Sequence, residues 1–510
     1  MFAAARLFKL GRWPALVAAG LTTWAWFFDS FTHWCWFIGM IEYAFACYLC
    51  LIPLGLFYRF VSEQRLWQAI ASALSLGAAL IVHPYVFVIL VAPMLWLWLA
   101  NFRALDRRGH ALVVGVAVVA IVMNLWWLLV AFRFWHYIMD SAYFGQTDLR
   151  FVIADLTSTL LDTETSGVIG TRTGFRFLFL IAGAVQIRRW FKRGDARAPL
   201  FTVALVSLLL LTYVGGYTQV IAQIQPYRFV IPTAFIALIP ASLCLHELVG
   251  ELRRGEIDRK GKVLALVLAL PAFQHLVDDV LYFTPELQPK TGRLFNGEPS
   301  MFAGSGYFPH MTMRHGIHPG DRALVEWIRK REDGRGRWLV EWPPLADEIS
   351  WQTDAQVLGG LPFLNLEHSY ANLYRRHPNG IVADDELREY IETYAVSWVV
   401  VSFPTARFNT TPNPWMDRVA SVGGHQIYRT KVAVNLVAEG GGKVRAETNR
   451  IRVSGSDPEV DSVIRYHWME TLVCRPDCTI ERAEIDGVDP VGFIRVPAPH
   501  PADYEIVNAY

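Results

Sequence analysis

Five aspartates lie in the loops between apolar stretches, and they are the residues of this sequence best suited to acid–base chemistry: Asp29, Asp140, Asp148, Asp155 and Asp162. A loop carboxylate can take a proton from an acceptor hydroxyl, or hold a divalent metal ion against a phosphate. Asp29 stands between two apolar stretches with His33 nearby, and Asp140 follows closely on the end of another stretch. We predict Asp29 and Asp140 as the catalytic candidates, and a divalent metal ion as the one cofactor that these residues suggest.

A second group of residues is suited to binding an anion. Arg228 stands where a late apolar stretch begins, and Gln225 and Tyr227 precede it. A guanidinium can make a bidentate bond to a phosphate at this depth, although Arg228 could also simply extend toward water. His83, followed by Pro84, could bond a pyrophosphate or cap the next helix. The sequence predicts a donor-phosphate site of Arg228, Tyr227, Gln225 and His83, with helix capping as the competing role of His83.

The cysteines fall into two groups. Four lie within apolar stretches, where they are expected to be small buried hydrophobic residues: Cys35, Cys47, Cys50 and Cys244. Cys474 and Cys478 instead flank a Pro-Asp turn between two strand-like runs. Outside the cytoplasm such a hairpin can hold a disulfide, whereas a zinc site would need two more ligands, and none is identifiable nearby. We therefore predict a disulfide between Cys474 and Cys478.

The elements that must position these residues are apolar stretches in the first half of the chain. Nine of them are close to the length of a membrane-spanning helix: 13–28, 34–57, 66–82, 85–101, 111–132, 175–187, 199–216, 229–247 and 263–282. The shortest, such as 175–187, can still cross where the bilayer thins. The sequence predicts a polytopic α-helical membrane domain of about nine spans, embedded in a lipid bilayer.

Lys and Arg residues in the short loops predict the orientation of these spans. One face carries 18 of them and the other face only 5 before the C-terminal region. Cytoplasmic loops are enriched in Lys and Arg, so the N-terminus is predicted to be cytoplasmic and the C-terminal domain exported. The formal net charge of +1, with no basic block interleaved with aromatic residues, excludes nucleic acid as an expected partner.

The second half of the chain reads as a water-soluble fold. The predicted order is a transmembrane domain over 1–283, a Pro- and Gly-rich junction over 284–320, an exported α/β domain over 321–430 and a small β-rich subdomain over 431–510. Asp321 is predicted to cap the first helix of the α/β domain. Helix and strand patterns alternate up to Arg429 and give way to short alternating runs typical of a sheet or sandwich.

Four features together resemble a known family. They are His83-Pro84 at a span end, Asn124-Leu-Trp-Trp-Leu-Leu before a long external loop, Gln225-Pro-Tyr-Arg-Phe opening a late span, and the ending Asp489-Pro-Val-Gly-Phe-Ile-Arg-Val. With the order of spans and exported α/β domain, they resemble the GT-C class of integral membrane glycosyltransferases. The resemblance is to bacterial proteins similar to dolichyl-phosphate-mannose mannosyltransferases and oligosaccharyltransferases. It implies a polyprenyl-phosphate sugar donor, an acceptor reached from outside, and residence in the bacterial inner (plasma) membrane.

The family pattern also implies an acidic residue in the first external loop, acting as catalytic base or metal ligand. Here the only candidate at that place is Asp29, in a very short loop, and the stretch beginning at Ala5 reads like a linker between two spans. One expectation is therefore that the chain is shortened at its N-terminus. The alternative function is a non-catalytic membrane protein, either an accessory subunit or a transporter of envelope polysaccharide assembly. Glu42 is the main charge within the spans, which disfavours a transporter.

Overall fold

The computed structural model describes residues 1–29, 40–139, 176–257, 318–332, 336–360, 366–376, 381–402, 413–485 and 487–509, with several single positions such as Thr32 and Cys35. The chain divides into two compact units. The helical unit comprises Met1–Arg133 and Asp140–Met313, and the C-terminal unit comprises Phe134–Met139 and Arg314–Tyr510.

The described part of the helical unit consists of helices joined by short turns. They are α1 (Phe2–Leu7), α2 (Arg12–Phe28), α3 (Ile41–Leu49), α4 (Leu51–Glu63), α5 (Leu66–Val82), α6 (Tyr85–Ala100), α7 (Arg107–Arg133), α8 (Arg176–Lys192), α9 (Arg197–Val214), α10 (Gln219–Ala222) and α11 (Val230–Arg253). A 3₁₀ turn, Pro226–Phe229, leads directly into α11. Apolar residues dominate these segments, which is why each pairs its backbone groups internally as a helix.

Four segments among the described residues are long and apolar enough to cross a membrane: Ile41–Glu63, Arg107–Arg133, Arg197–Tyr217 and Pro226–Arg253. Leu66–Val82 and Tyr85–Ala100 are shorter apolar helices. Helices also occupy most of the other predicted spans, and 263–282 lies mostly outside the described residues. A helical membrane domain therefore fits the structure, while the count of nine spans stays a prediction.

The helices differ in how much of their surface is packed. Pro226–Arg253 is largely buried among other helices, whereas α7 leaves Val118, Leu129 and Phe132 exposed. Small residues allow close packing elsewhere, since a Cβ on Gly55 would lie only 2.7 Å from Cβ of Leu7. An exposed apolar face of this length is the surface that lipid would cover.

The C-terminal unit begins its regular structure with an α/β portion. Its helices are α12 (Pro319–Arg329), α13 (Pro343–Gln352), α14 (Leu373–Arg376) and α15 (Asp384–Thr393), and its strands are β1 (Arg337–Val340), β2 (Val357–Leu358), β3 (Val396–Val401), β4 (Met416–Val422) and β5 (His425–Thr430). The sheet order is β2-β1-β3-β5-β4; β1 is parallel to β2 and β3, and β5 is antiparallel to β3 and β4. Helices α13 and α15 cover opposite faces of this sheet.

One local prediction at the start of this portion was wrong. Helix α12 begins at Pro319, and its N-cap is His318, whose Nδ1 accepts a hydrogen bond from the Gly320 amide at 3.2 Å. Asp321 lies three residues after His318, inside the first turn of the helix. Proline suits the first helical position because its fixed φ matches the helix and no amide hydrogen is lost there.

The remaining strands form two four-stranded antiparallel sheets. The strands are β6 (Val437–Glu439), β7 (Lys443–Glu447), β8 (Arg450–Ser454), β9 (Ser462–His467), β10 (Leu472–Arg475), β11 (Glu481–Ala483), β12 (Phe493–Val496) and β13 (Tyr504–Asn508). The orders are β10-β13-β8-β7 and β11-β12-β9-β6. Val453 and Ile506 of one sheet share a core with Ile464 and Ile494 of the other, so the two sheets pack as a sandwich. A disulfide joins Cys474, within β10, to Cys478, which follows the strand.

Candidate functional site

Several polar residues that the structure describes in the helical unit lie at helix ends. Asp29 follows the last residue of α2, Arg176 opens α8, and Tyr227 and Arg228 lie in the 3₁₀ turn before α11. His83 stands between α5 and α6.

The centre of the site is a buried ion pair between Asp29 and Arg176. Arg176 Nε lies 2.7 Å from Asp29 Oδ2, and both side chains are less than 10 % exposed, at 7 % and 4 %. The other carboxylate oxygen, Oδ1, accepts from the Thr32 amide at 2.9 Å and from the Thr32 hydroxyl at 3.2 Å. A buried carboxylate is tolerated only when it is paired and hydrogen-bonded, and here both conditions are met.

Arg176 also ties this ion pair to the turn before α11. Its Nη1 donates to the Tyr227 hydroxyl at 3.2 Å. The Tyr227 side chain is fully buried, so its position fixes the guanidinium rather than presenting the phenol to solvent. Asp29 and Tyr227, which the sequence singled out separately, therefore lie in one cluster through Arg176.

Arg228 lies next to Tyr227 and is only partly buried. Its backbone carbonyl accepts from the Tyr43 hydroxyl at 2.6 Å, and its guanidinium carbon lies 5.9 Å from the centre of the Tyr43 ring. A cation over an aromatic face is stabilised by the ring quadrupole. Tyr43, near the start of α3, thus holds both the backbone and the charge of Arg228 in place.

Gln225 has a conformation that few residues other than glycine adopt. Its φ is 57°, in the left-handed region, and its carbonyl accepts from the Arg228 amide at 3.0 Å. Left-handed backbone at a non-glycine residue costs on the order of 1–3 kcal/mol and is concentrated at ligand-binding and active sites. Gln225 is buried, and its role visible in the structure is to turn the chain so that Arg228 reaches the end of the helical unit.

The N-cap residue of α6 is Pro84, and His83 lies directly before it. Its Nδ1 accepts from the Tyr85 amide at 3.1 Å, at the start of α6. Its ring also lies 5.0 Å from the Tyr43 ring, centre to centre, so the same histidine borders the Arg228 group. The hydrogen bond to Nδ1 leaves Nε2 as the ring nitrogen that carries the hydrogen in a neutral imidazole.

Sequence reasoning missed Arg176, Tyr43 and Thr32. In the sequence Arg176 is a basic residue at the edge of the apolar stretch 175–187, and nothing in its neighbours links it to Asp29. The sole available signal was a charge at the start of an apolar helix, which must find a partner. Asp140, Asp148, Asp155, Asp162 and His33 lie outside the described residues.

The described residues do not favour a bound metal at this site. Among them, no group of three or more His, Cys, Asp or Glu side chains is arranged to hold a metal ion. Asp29 directs its oxygens to Arg176 and Thr32, and a guanidinium at 2.7 Å opposes a second cation there. The described side chains of this site offer guanidinium groups that can bind an anion, beside a buried carboxylate.

No protein-family model and no curated protein matches this chain. Among solved structures, it is similar to the archaeal oligosaccharyltransferase AglB from Archaeoglobus fulgidus in complex with an inhibitory peptide and a dolichol-phosphate. The TM-score is 0.38 and the sequence identity 12 %, and the match covers 78 % of this chain and 56 % of that chain. The chain thus spans little more than half the length of that protein, and at this TM-score the similarity does not define an activity.

Proposed function

We propose that this chain is a membrane glycosyltransferase that moves a sugar from a polyprenyl-phosphate donor to an acceptor on the outer face of the membrane. The observation that carries the proposal is the cluster of Arg228, Arg176 and Asp29 at one end of apolar helices. Guanidinium groups at the depth of lipid headgroups are suited to a phosphate whose lipid tail remains in the bilayer.

In the proposed reaction the acceptor attacks the anomeric carbon, and the bond from that carbon to the phosphate oxygen breaks with inversion. The lipid phosphate leaves with the electron pair, and Arg228 stabilises its charge. Groups fixed in advance where charge develops are an effective source of catalysis, because they need no reorganisation. Arg176, held by Tyr227, is the second cation of this site.

Asp29 has two possible roles in this scheme. As a base it would take the proton of the acceptor, with Asp140 as the second candidate for that role. As a positioning residue it would only hold Arg176. The ion pair at 2.7 Å favours the second role, because the carboxylate already holds the guanidinium of Arg176. That same pairing supports the alternative function, a non-catalytic accessory protein that binds the lipid phosphate without transfer.

The test uses membranes containing the full chain, incubated with radiolabelled polyprenyl-phosphate sugars, with donor binding measured separately on purified protein. We expect Arg228→Ala to weaken donor binding about 10- to 150-fold, because one charge-assisted contact contributes ~1.5–3 kcal/mol. Arg228→Lys should weaken donor binding by a smaller factor, since lysine keeps the charge but lacks the planar guanidinium that binds a phosphate through two hydrogen bonds. Arg188→Lys, at the opposite end of α8 and exposed, is the matched control and should change neither measurement.

Asp29→Asn separates the two roles of Asp29. If Asp29→Asn loses transfer but still binds the donor, Asp29 is the catalytic base, because removal of a base acts on the transition state. Weaker donor binding in Asp29→Asn and Arg176→Lys alike would make it a positioning residue. Donor binding without any transfer in the unmodified chain would leave the accessory function, and unchanged binding in Arg228→Ala would reject the phosphate site.

A further inference from the structure

Three side chains of the C-terminal unit form a continuous chain of hydrogen bonds. His425 Nε2 lies 2.8 Å from Asp321 Oδ1, and His425 Nδ1 lies 3.1 Å from Ser402 Oγ. Asp321 and His425 are buried, and Ser402 is partly exposed. The proposed glycosyl transfer uses none of these residues, so their arrangement calls for a separate account.

The carboxylate decides which nitrogen of His425 carries the proton. An ionised Asp321 can only accept, so a neutral His425 must carry its hydrogen on Nε2 and direct it to Asp321. The lone pair of Nδ1 then faces Ser402 Oγ and accepts the hydroxyl proton. This is the relation of nucleophile, base and orienting carboxylate that activates a serine.

The position of this group in the sheet is a second, independent observation. From β1 the chain passes through α13 to β2 on one side, and then returns through α15 to β3 on the other side of β1. The two helices cover opposite faces, so the direction of winding reverses between β1 and β3. Open α/β sheets bind ligands outside the carboxyl ends of their strands at such a reversal.

All three side chains lie at that edge. Ser402 directly follows the last residue of β3, and His425 opens the antiparallel strand β5 beside it. Asp321 is in the first turn of α12, the helix that precedes β1. The fold thus brings a serine, a histidine and an aspartate from three elements together at this edge of the sheet.

We propose that Ser402 is an activated nucleophile that reacts with activated esters, with His425 as its general base and Asp321 as a positioning residue. The Ser402 oxygen bonds to the carbonyl carbon while its proton passes to His425 Nδ1. The alcohol leaves with that proton, which gives an acyl-serine. Water then attacks the acyl group, releases the acid and restores the Ser402 hydroxyl.

Glu341 restricts the substrates. Its Oε2 accepts from the Ser402 amide at 3.1 Å, so that amide is not available to stabilise an oxyanion. Loss of one such donor typically slows acyl transfer about 10²- to 10³-fold. We therefore expect reaction with esters that have good leaving groups, at low turnover, and no cleavage of peptides.

The test is labelling of the full chain in detergent with a fluorophosphonate. The Ser402 oxygen forms a bond to phosphorus, fluoride leaves with the electron pair of the broken bond, and the proton passes to His425. Peptide mapping of the unmodified chain should place the label on Ser402, which requires no variant.

Three variants complete the experiment. Ser402→Ala should abolish labelling, and His425→Gln and Asp321→Asn should slow it at least about tenfold without loss of folded structure by circular dichroism. Asp321→Glu, which restores the carboxylate, should recover part of the rate. Ser421→Ala, an exposed serine of β4, is the control and should label normally. Absence of label from Ser402 in the unmodified chain, or equal labelling of Ser402→Ala, would overturn the proposal.

Discussion

At the scale of single residues, the C-terminal unit contains a buried group of titratable side chains around Asp489. Its Oδ2 accepts from His467 at 2.9 Å and from Tyr394, and its Oδ1 accepts from the amides of Val491 and Gly492. Burial alone would raise the pKa of Asp489, but these hydrogen bonds outweigh it and hold the pKa at about 2. The His368 ring lies 5.4 Å from the His467 ring, centre to centre.

Acid should destabilise the protein through His368. Burial and the nearby His467 lower the pKa of His368 to about 4, from 6.5 in an unperturbed histidine. Between these values the unfolded chain binds a proton that the folded chain does not, so stability falls as pH falls from about 6.5 to 4. We expect His368→Gln to remove on the order of 1–2 kcal/mol of this loss, measured by thermal unfolding in detergent across that range.

The exposed His246 provides the control for that experiment. His246→Gln should leave the slope of melting temperature against pH unchanged. An equal slope in His368→Gln and the unmodified chain would show that other groups cause the acid sensitivity.

At the scale of elements, one close contact depends on the absence of a side chain. Gly320, at the start of α12, contacts the backbone of Gly423 in the turn between β4 and β5. A Cβ on Gly320 would collide with the Gly423 carbonyl oxygen, and Gly423 itself has a φ of 60°. This close approach is what brings Asp321 to His425.

Gly320→Ala should therefore destabilise the C-terminal unit by ~1–3 kcal/mol, because the helix start must move away from the hairpin. Hydrogen exchange at α12 and β5 measures this directly. Gly115→Ala, in α7, has open space at its Cβ and serves as the control. Unchanged protection of α12 in Gly320→Ala would contradict the packing described here.

The disulfide near β10 allows a second test at this scale. Cys474 and Cys478 should resist alkylation until a reductant is added, and Cys474→Ser should cost no more than ~2–3 kcal/mol because the closed loop is short. Chemical denaturation measures the loss, and Cys478→Ser should give the same value since it breaks the same bond. Free thiols at both positions in protein purified without reductant would reject the bridge.

At the scale of the whole molecule, the uneven distribution of Lys and Arg predicts the topology. Reporter fusions after residues 110, 195 and 258 should be cytoplasmic, and fusions after 150 and 300 should be exported. The reason is that short loops rich in Lys and Arg stay on the cytoplasmic side. A cytoplasmic reporter after residue 300 would contradict the nine-span prediction and the placement of the C-terminal unit.

The sequence by itself determined the type and approximate place of many elements. Apolar runs predicted the helices, and the succession of helix and strand patterns predicted the α/β portion up to Arg429, because both signals are local to the chain. Residues at helix starts were less well predicted: the sequence placed the cap of α12 at Asp321 instead of His318.

Only the tertiary structure decided which distant side chains meet. Arg176 pairs with Asp29, and His425 reaches Asp321 across 104 positions of sequence and Ser402 across 23. Hydrophobic periodicity indicates which face of a helix or strand is buried. It does not indicate which other helix or strand packs against that face. That choice follows from how the helices and strands pack, and it turned isolated Asp, Arg, Ser and His residues into two candidate sites.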